Sequence, residues 1–218
     1  MKFQLSDEQR QLVWAIRDVA RGEFKGRALK YMDGTFPWEN IRELANIGVL
    51  GMAVPPEYGG SGVGILDTVL VLEEIGKVCY VTAMAVLGEV GTQTRIISTY
   101  APESIKQKIL PRVATGEAIL AICITEPDAG TDVPNYKTNV TIKGDRAIIR
   151  GTKTLISRAD IADVMIVFTR VNGVPGAAGI GCALVGSITP EIAQIRAALD
   201  DKSRRDQARG YLAELGAP

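Results

Sequence analysis

Apolar residues recur at helical spacing through the first half of the chain and give way to alternation after residue 118. Ser6, with Gln9 three residues on, reads as a capping box. Leu12, Val13, Ile16, Val19 and Ala20 carry one apolar face as far as Phe24. Pro37 opens a second helix with Ile41, Leu44 and Ala45 on its apolar face, and Gly48 is its expected left-handed terminator. Residues 50–64 hold too much glycine and proline for regular structure and read as a loop. Their glycine spacing and their prolines argue against a dinucleotide fingerprint. Asp67 is expected to cap a helix through Leu70, Val71, Glu74 and Ile75. A more apolar helix follows over residues 81–86, interrupted by Gly88 and Gly91. Two short helices, 92–100 and 102–110, complete the series. The second carries Lys106 and Lys108 towards its C-terminus, where the helix dipole favours cations, and Pro111 is expected to end it.

From Ile119 the period is two. The apolar run 118–124 has the length of a buried strand. Thr138, Val140 and Ile142 alternate with Asn139, Thr141 and Lys143; Gly144-Asp145 makes a two-residue turn, and Ala147, Ile148 and Ile149 return until Gly151 breaks the run. Residues 153–157 and 164–169 read as further strands, the latter central because it is nearly all apolar. Residues 172–176 are a loop and 182–185 a last short strand. Thr189 and Pro190 then start a helix with a narrow stripe, Ile192, Ile195 and Leu199, before a charged stretch. The pattern predicts an α+β fold: a helical domain over residues 1–117, a small barrel- or sandwich-like β-domain over 118–186, and a divergent helical or frayed tail over 187–218.

Composition narrows the chemistry. The 218 residues carry no net charge, so nothing favours nucleic acid or an anionic membrane surface as a partner. The N-terminus has no apolar signal region and no run reaches the length of a membrane span, which leads us to expect a cytoplasmic protein. There is no histidine, so a Ser-His-Asp triad, a Cys-His nucleophile and His-ligated metals are excluded. Cys79, Cys123 and Cys182 lie far apart in apolar contexts and read as small buried thiols, so no metal site is expected. Acid–base work would fall to Asp, Glu, Lys, Tyr or Cys.

The most informative stretch is Cys123-Ile-Thr-Glu-Pro-Asp-Ala-Gly-Thr-Asp132. An apolar strand breaks there into a loop with two hydroxyls and three carboxylates, where Pro127 fixes φ and Gly130 can take a positive φ. Such a loop presents N–H and O–H donors at the end of a rigid strand, a common way to hold a phosphate or a polar cofactor edge. Glu126 and Asp132 are candidate bases, but carboxylates flanking a tight turn usually accept backbone N–H bonds and fix the loop.

This stretch resembles the signature of the acyl-CoA dehydrogenase family: small, aliphatic, Ser/Thr, Glu, two variable residues, small, Gly, Ser/Thr and Asp. Asn135 stands where the family usually has a small residue. The run from Pro56 to Gly62 is similar to a second stretch of the family, and the likeness covers roughly residues 3–185. By that resemblance the apolar helices line an acyl-chain cavity, and the cofactor is FAD. Ile124 and Thr125 would contact the flavin ring edge, and Thr131 the pyrophosphate or the CoA portion of the substrate. Ser157 falls where the family has a flavin-contacting Thr, and Leu155 where most members have a Trp against the ring.

The implied reaction is α,β-dehydrogenation of an acyl-CoA thioester, with an electron-transfer flavoprotein-type acceptor and a homo- or hetero-oligomeric assembly. The family's catalytic Glu lies on a C-terminal helical domain with no counterpart here, so no catalytic residue is assigned. The chain reads as truncated and is expected to be a poor enzyme alone. Alternatives are a non-catalytic subunit that binds FAD or acyl-CoA only with a partner, and a relative with oxidase or monooxygenase chemistry.

Overall fold

Ser6 caps the first helix as its sequence predicts: its hydroxyl accepts from the Gln9 amide N–H, and the Gln9 side chain accepts from the Ser6 N–H. The computed structural model describes residues 4–144 and 146–186, so the expected tail helix from Thr189 and the turn residue Asp145 lie outside the described residues. One compact unit ends at Ile119 and a second begins at Leu120.

The first unit is helical. α1 (Asp7–Val19) widens into a π-turn at Ala20–Phe24 and tightens into a 3-10 stretch at Lys25–Asp33. α2 (Trp38–Asn46), α3 (Ile65–Gly76), α4 (Tyr80–Val90), α5 (Thr92–Tyr100) and α6 (Glu103–Ala114) follow. α3 packs on α1 and α4, and the later helices pack each on the next. Phe24, Leu44, Leu50, Ile75, Ile97 and Leu110 are fully buried. Removing each such side chain from water contributes about 1.5–3 kcal/mol.

Four sequence expectations change here. Asp67 is not a cap: Gly64 holds that position in extended geometry, and Asp67 lies in the first turn, where its Oδ1 accepts from Gln9 Nε2 at 2.8 Å. Gly88 sits buried inside α4, which runs on to Val90. Pro111 does not end α6, because burial of Leu110 and Val113 on that turn offsets its missing N–H, and Thr115 N–H still reaches the Pro111 carbonyl. The 50–64 stretch holds 3-10 turns at Val49–Gly51 and Pro56–Tyr58 and folds on itself, with Ser61 N–H on Gly51 O and Val63 N–H on Met52 O. Gly60 makes that fold possible, since a Cβ there would lie 2.1 Å from the Val54 carbonyl oxygen.

The second unit is one five-stranded mixed sheet. β1 (Leu120–Cys123), β2 (Asn139–Lys143), β3 (Arg146–Arg150), β4 (Val164–Val171) and β5 (Ile180–Gly186) appear in chain order. β4 is central, as its apolar run predicts. It pairs parallel with β1 (Ile166 opposite Ile122), parallel with β2 at its far end (Val171 opposite Val140) and antiparallel with β5 (Val167 opposite Ala183). β2 and β3 form the expected hairpin, with Thr141 opposite Ile148. Residues 153–157 form no strand; their backbone bends through a left-handed Leu155, φ 56°. Cys182 is exposed on β5, against the expectation that all three thiols are buried, whereas Cys79 and Cys123 are buried.

Candidate functional site

The site is built where β1 ends. Cys123 is the last residue of the strand, and burial pushes its thiol pKa up, which makes it a poor nucleophile. Ile124 and Thr125 follow outside any regular element, and the chain then turns back at Glu126. The turn is closed by two backbone bonds, Glu126 N–H to Ala129 O at 2.9 Å and Ala129 N–H to Glu126 O at 3.2 Å. Gly130 does not use the positive φ that the sequence allowed for, because those paired bonds already make the turn. A Cβ at Gly130 would meet nothing within 4 Å, so the loop surface is open there.

Glu126 is 4 % exposed. One carboxylate oxygen accepts from the Lys137 N–H at 2.7 Å, and the other from the Thr138 N–H at 3.0 Å and from Lys153 Nζ at 2.9 Å. Burial alone would raise its pKa. Hydrogen bonds from Thr138, Lys153 and the Lys137 amide outweigh that and hold the carboxyl at about 2. A carboxylate so saturated with donors is a weak base. The reading of Glu126 as a loop anchor therefore holds, with an ammonium group added to the backbone donors. Asp132 is exposed and accepts from the Asn135 side-chain amide.

Lys153 joins two segments that lie far apart in sequence. Its Nζ donates to the Ile124 carbonyl at 2.7 Å and to Glu126 at 2.9 Å, and it lies 3.9 Å from the centre of the buried Tyr136 ring. The side chain is 9 % exposed. One residue on, the Thr154 N–H donates to the Thr125 carbonyl at 2.9 Å. The loop that follows is thereby held beside the end of β1. Leu155 projects outward, 87 % exposed, and Ser157 is exposed nearby in sequence. Arg170 braces the other side: its guanidinium donates to the carbonyls of Tyr136, Val174 and Pro134.

Of the five sequence-derived positions, Ile124, Thr125, Leu155 and Ser157 belong to the two segments brought together by Lys153 and Thr154. Thr131 sits apart on the exposed turn. Sequence reasoning missed Lys153 and Tyr136. The available signal was the buried-strand context of Glu126, a carboxylate that needs a cation when taken out of water. Thr131 and Ser157 are exposed hydroxyl residues, the turn is open at Gly130, and Leu155 exposes an apolar side chain: chemistry of the kinds that a phosphate and a flat ring would need. Among the described residues no cluster of His, Cys, Asp and Glu could hold a metal ion, and no helix is long and apolar enough to cross a membrane.

Comparison with known proteins places both units in one family. The family description "Acyl-CoA dehydrogenase, N-terminal domain" matches residues 6–117, and "Acyl-CoA dehydrogenase, middle domain" matches residues 121–212, continuing past Gly186. The short-chain-specific acyl-CoA dehydrogenase of Clostridium acetobutylicum is 33 % identical over 187 residues, covering 85 % of this chain and 49 % of that protein. Butyryl-CoA dehydrogenase from Megasphaera elsdenii superposes with a TM-score of 0.80 at 28 % identity, covering 88 % of this chain and 51 % of its own. Glutaryl-CoA dehydrogenase of Mycobacterium smegmatis in complex with FADH2 superposes at 0.76 and 28 % identity, with coverage of 86 % and 47 %. The chain spans about half the length of the relatives it matches. With both domain descriptions filling the two structural units, and the signature turn anchored at the end of β1, this chain belongs to the acyl-CoA dehydrogenase family.

Proposed function

We propose that this chain provides FAD- and acyl-CoA-binding surface for an oxidoreductase acting on the CH–CH group of an acyl-CoA thioester. The flavin, when bound, supplies hydride acceptance. The chain's own residues bind and orient. Ile124 and Thr125 offer backbone and hydroxyl contacts to the ring edge, Ser157 adds a hydroxyl, and Leu155 gives an apolar face to the ring. Thr131 faces the pyrophosphate or the CoA portion. An electron-transfer flavoprotein-type acceptor, an oligomeric assembly and a cytoplasmic location complete the reading.

The observation that carries it is the 2.9 Å bond from the Thr154 N–H to the Thr125 carbonyl. It sets side by side the two segments to which the resemblance assigns flavin contacts. The FADH2 complex of the Mycobacterium smegmatis relative supports the choice of cofactor. The test is the visible spectrum of the purified chain, loaded with FAD and then desalted. A flavin band that stays with the protein is expected. Folded but colourless protein would overturn the proposal.

A further inference from the structure

Lys153 carries a full set of interactions without being exposed. Its ammonium has three donors; two are used by the Ile124 carbonyl and Glu126, and the Tyr136 ring lies against the same charge. Burying a lysine is expensive unless every such contact is made. The Glu126 carboxylate is equally committed, since it receives the Lys137 and Thr138 amides as well. The consequences fall on two neighbours. The Ile124 carbonyl is drawn inward, which fixes the peptide plane joining Ile124 to Thr125. The chain after Lys153 is drawn against Thr125 and passes through two non-glycine residues with positive φ, Leu155 at 56° and Arg158 at 67°. Non-glycine residues adopt that conformation only when their surroundings over-determine it.

We propose that Lys153, acting through its ion pair with Glu126, is the positioning residue for the cofactor site: it locks the segment 124–126 and the segment 153–158 into one rigid unit. The inference rests on the flavin reading for its purpose, but its mechanical content stands alone. Lys153 touches no reacting atom; it acts through the Ile124 carbonyl, the Glu126 carboxylate and the placement of the Thr154 amide. Arg170 has a different task, since its donors hold the outer loops at 134–136 and 174–176.

The test compares the full chain with its K153M, K153R and E126Q/K153M variants. Two quantities are read: the Kd for FAD, and amide hydrogen exchange resolved at Thr154 and at Ile166 of central β4. In K153M we expect at least a tenfold faster exchange at Thr154, unchanged protection at Ile166, and at least a tenfold weaker Kd for FAD. K153R should recover part of both. The double variant removes both charges; it keeps the sheet intact should K153M unfold around an unpaired carboxylate, and it should still lose Thr154 protection. Thr154 protection within twofold of the wild type in K153M, or in the double variant if K153M unfolds, overturns the proposal. A wild-type chain that fails to bind FAD overturns the flavin reading instead, and Thr154 exchange alone then decides the role of Lys153.

Discussion

Arg17 grips Glu74 with two donors, Nε at 2.8 Å and Nη2 at 3.1 Å, and so ties α1 to α3. Lys77 adds a third donor to the same carboxylate at 2.8 Å. The Arg17 hydrogen bond, with Lys77 behind it, outweighs burial and lowers the Glu74 pKa from 4.5 to about 2. Glu126 in the second unit is lowered to the same region. A carboxylate with a depressed folded-state pKa stabilises fully above its unfolded value, and that stability is lost as pH falls through the folded one. Thermal stability of this chain is therefore expected to fall between about pH 5 and pH 2. Glu74→Gln should flatten that dependence and cost about 3 kcal/mol at neutral pH. A melting temperature indifferent to pH across that window would contradict the assignment.

Leu155 holds φ 56° with an 87 % exposed side chain. A branched aliphatic residue gains nothing from that placement in the free protein. Leu155→Gly should raise the unfolding free energy by up to about 1 kcal/mol, because glycine accepts the left-handed region without strain. Leu155→Trp should instead leave stability nearly unchanged and tighten FAD retention severalfold, by restoring a flat contact for the ring. Equilibrium denaturation and FAD titration of the two variants separate the effects.

Gly151 follows β3 with φ 148° and sits against Thr138; a Cβ there would fall 2.4 Å from Thr138 Oγ1 and 2.5 Å from Thr138 Cα. The Thr138 amide is one of the donors to Glu126. Gly151→Ala should destabilise the sheet unit by about 2–3 kcal/mol and weaken cofactor binding together. Gly144→Ala makes the control: φ is also positive, 59°, but nothing lies within 4 Å of the new methyl. That change should cost only about 1 kcal/mol and leave binding untouched. Equal losses from both substitutions would argue against the coupling of Gly151 to the site.

The cap at Ser6 offers a check remote from the site. Ser6→Ala removes the acceptor for the Gln9 amide and should cost about 1 kcal/mol in thermal unfolding of the helical unit. Gln9→Ala should cost more, because its side chain both completes the capping box and donates to Asp67 on α3.

What could be read from the sequence was what local chemistry decides. Ser6 and Gln9 announce a helix start, Thr92–Tyr100 is a helix as its spacing predicts, and the apolar run at 164–169 is the central strand. Long-range partners override local signals elsewhere. Asp67 has the chemistry of a cap but is claimed by Gln9 from another helix. Pro111 should stop a helix, yet buried neighbours carry α6 past it. Residues 153–157 look like a strand because Leu155 and Ile156 are apolar. They fail to be one because Lys153, the first of them, has turned inward to a carboxylate in the signature turn. Glu126 was legible as an anchor of that turn; its cationic partner was not, since nothing local marks Lys153 among the 25 lysines and arginines of the chain.

The central place of β4 has a consequence for how the molecule comes into being. The β2–β3 hairpin and the β4–β5 pair join neighbours in sequence, and local contacts of that kind form early. The parallel pairing of β1 with β4 must close a far longer loop before it gains anything, and entropy delays such closures. Lys153 lies inside that loop and its carboxylate partner just after β1, so their meeting belongs to the same late event. The cofactor site is thus expected to be the last part of the sheet unit to mature. A newly made chain would hold its hairpins before it could hold a flavin.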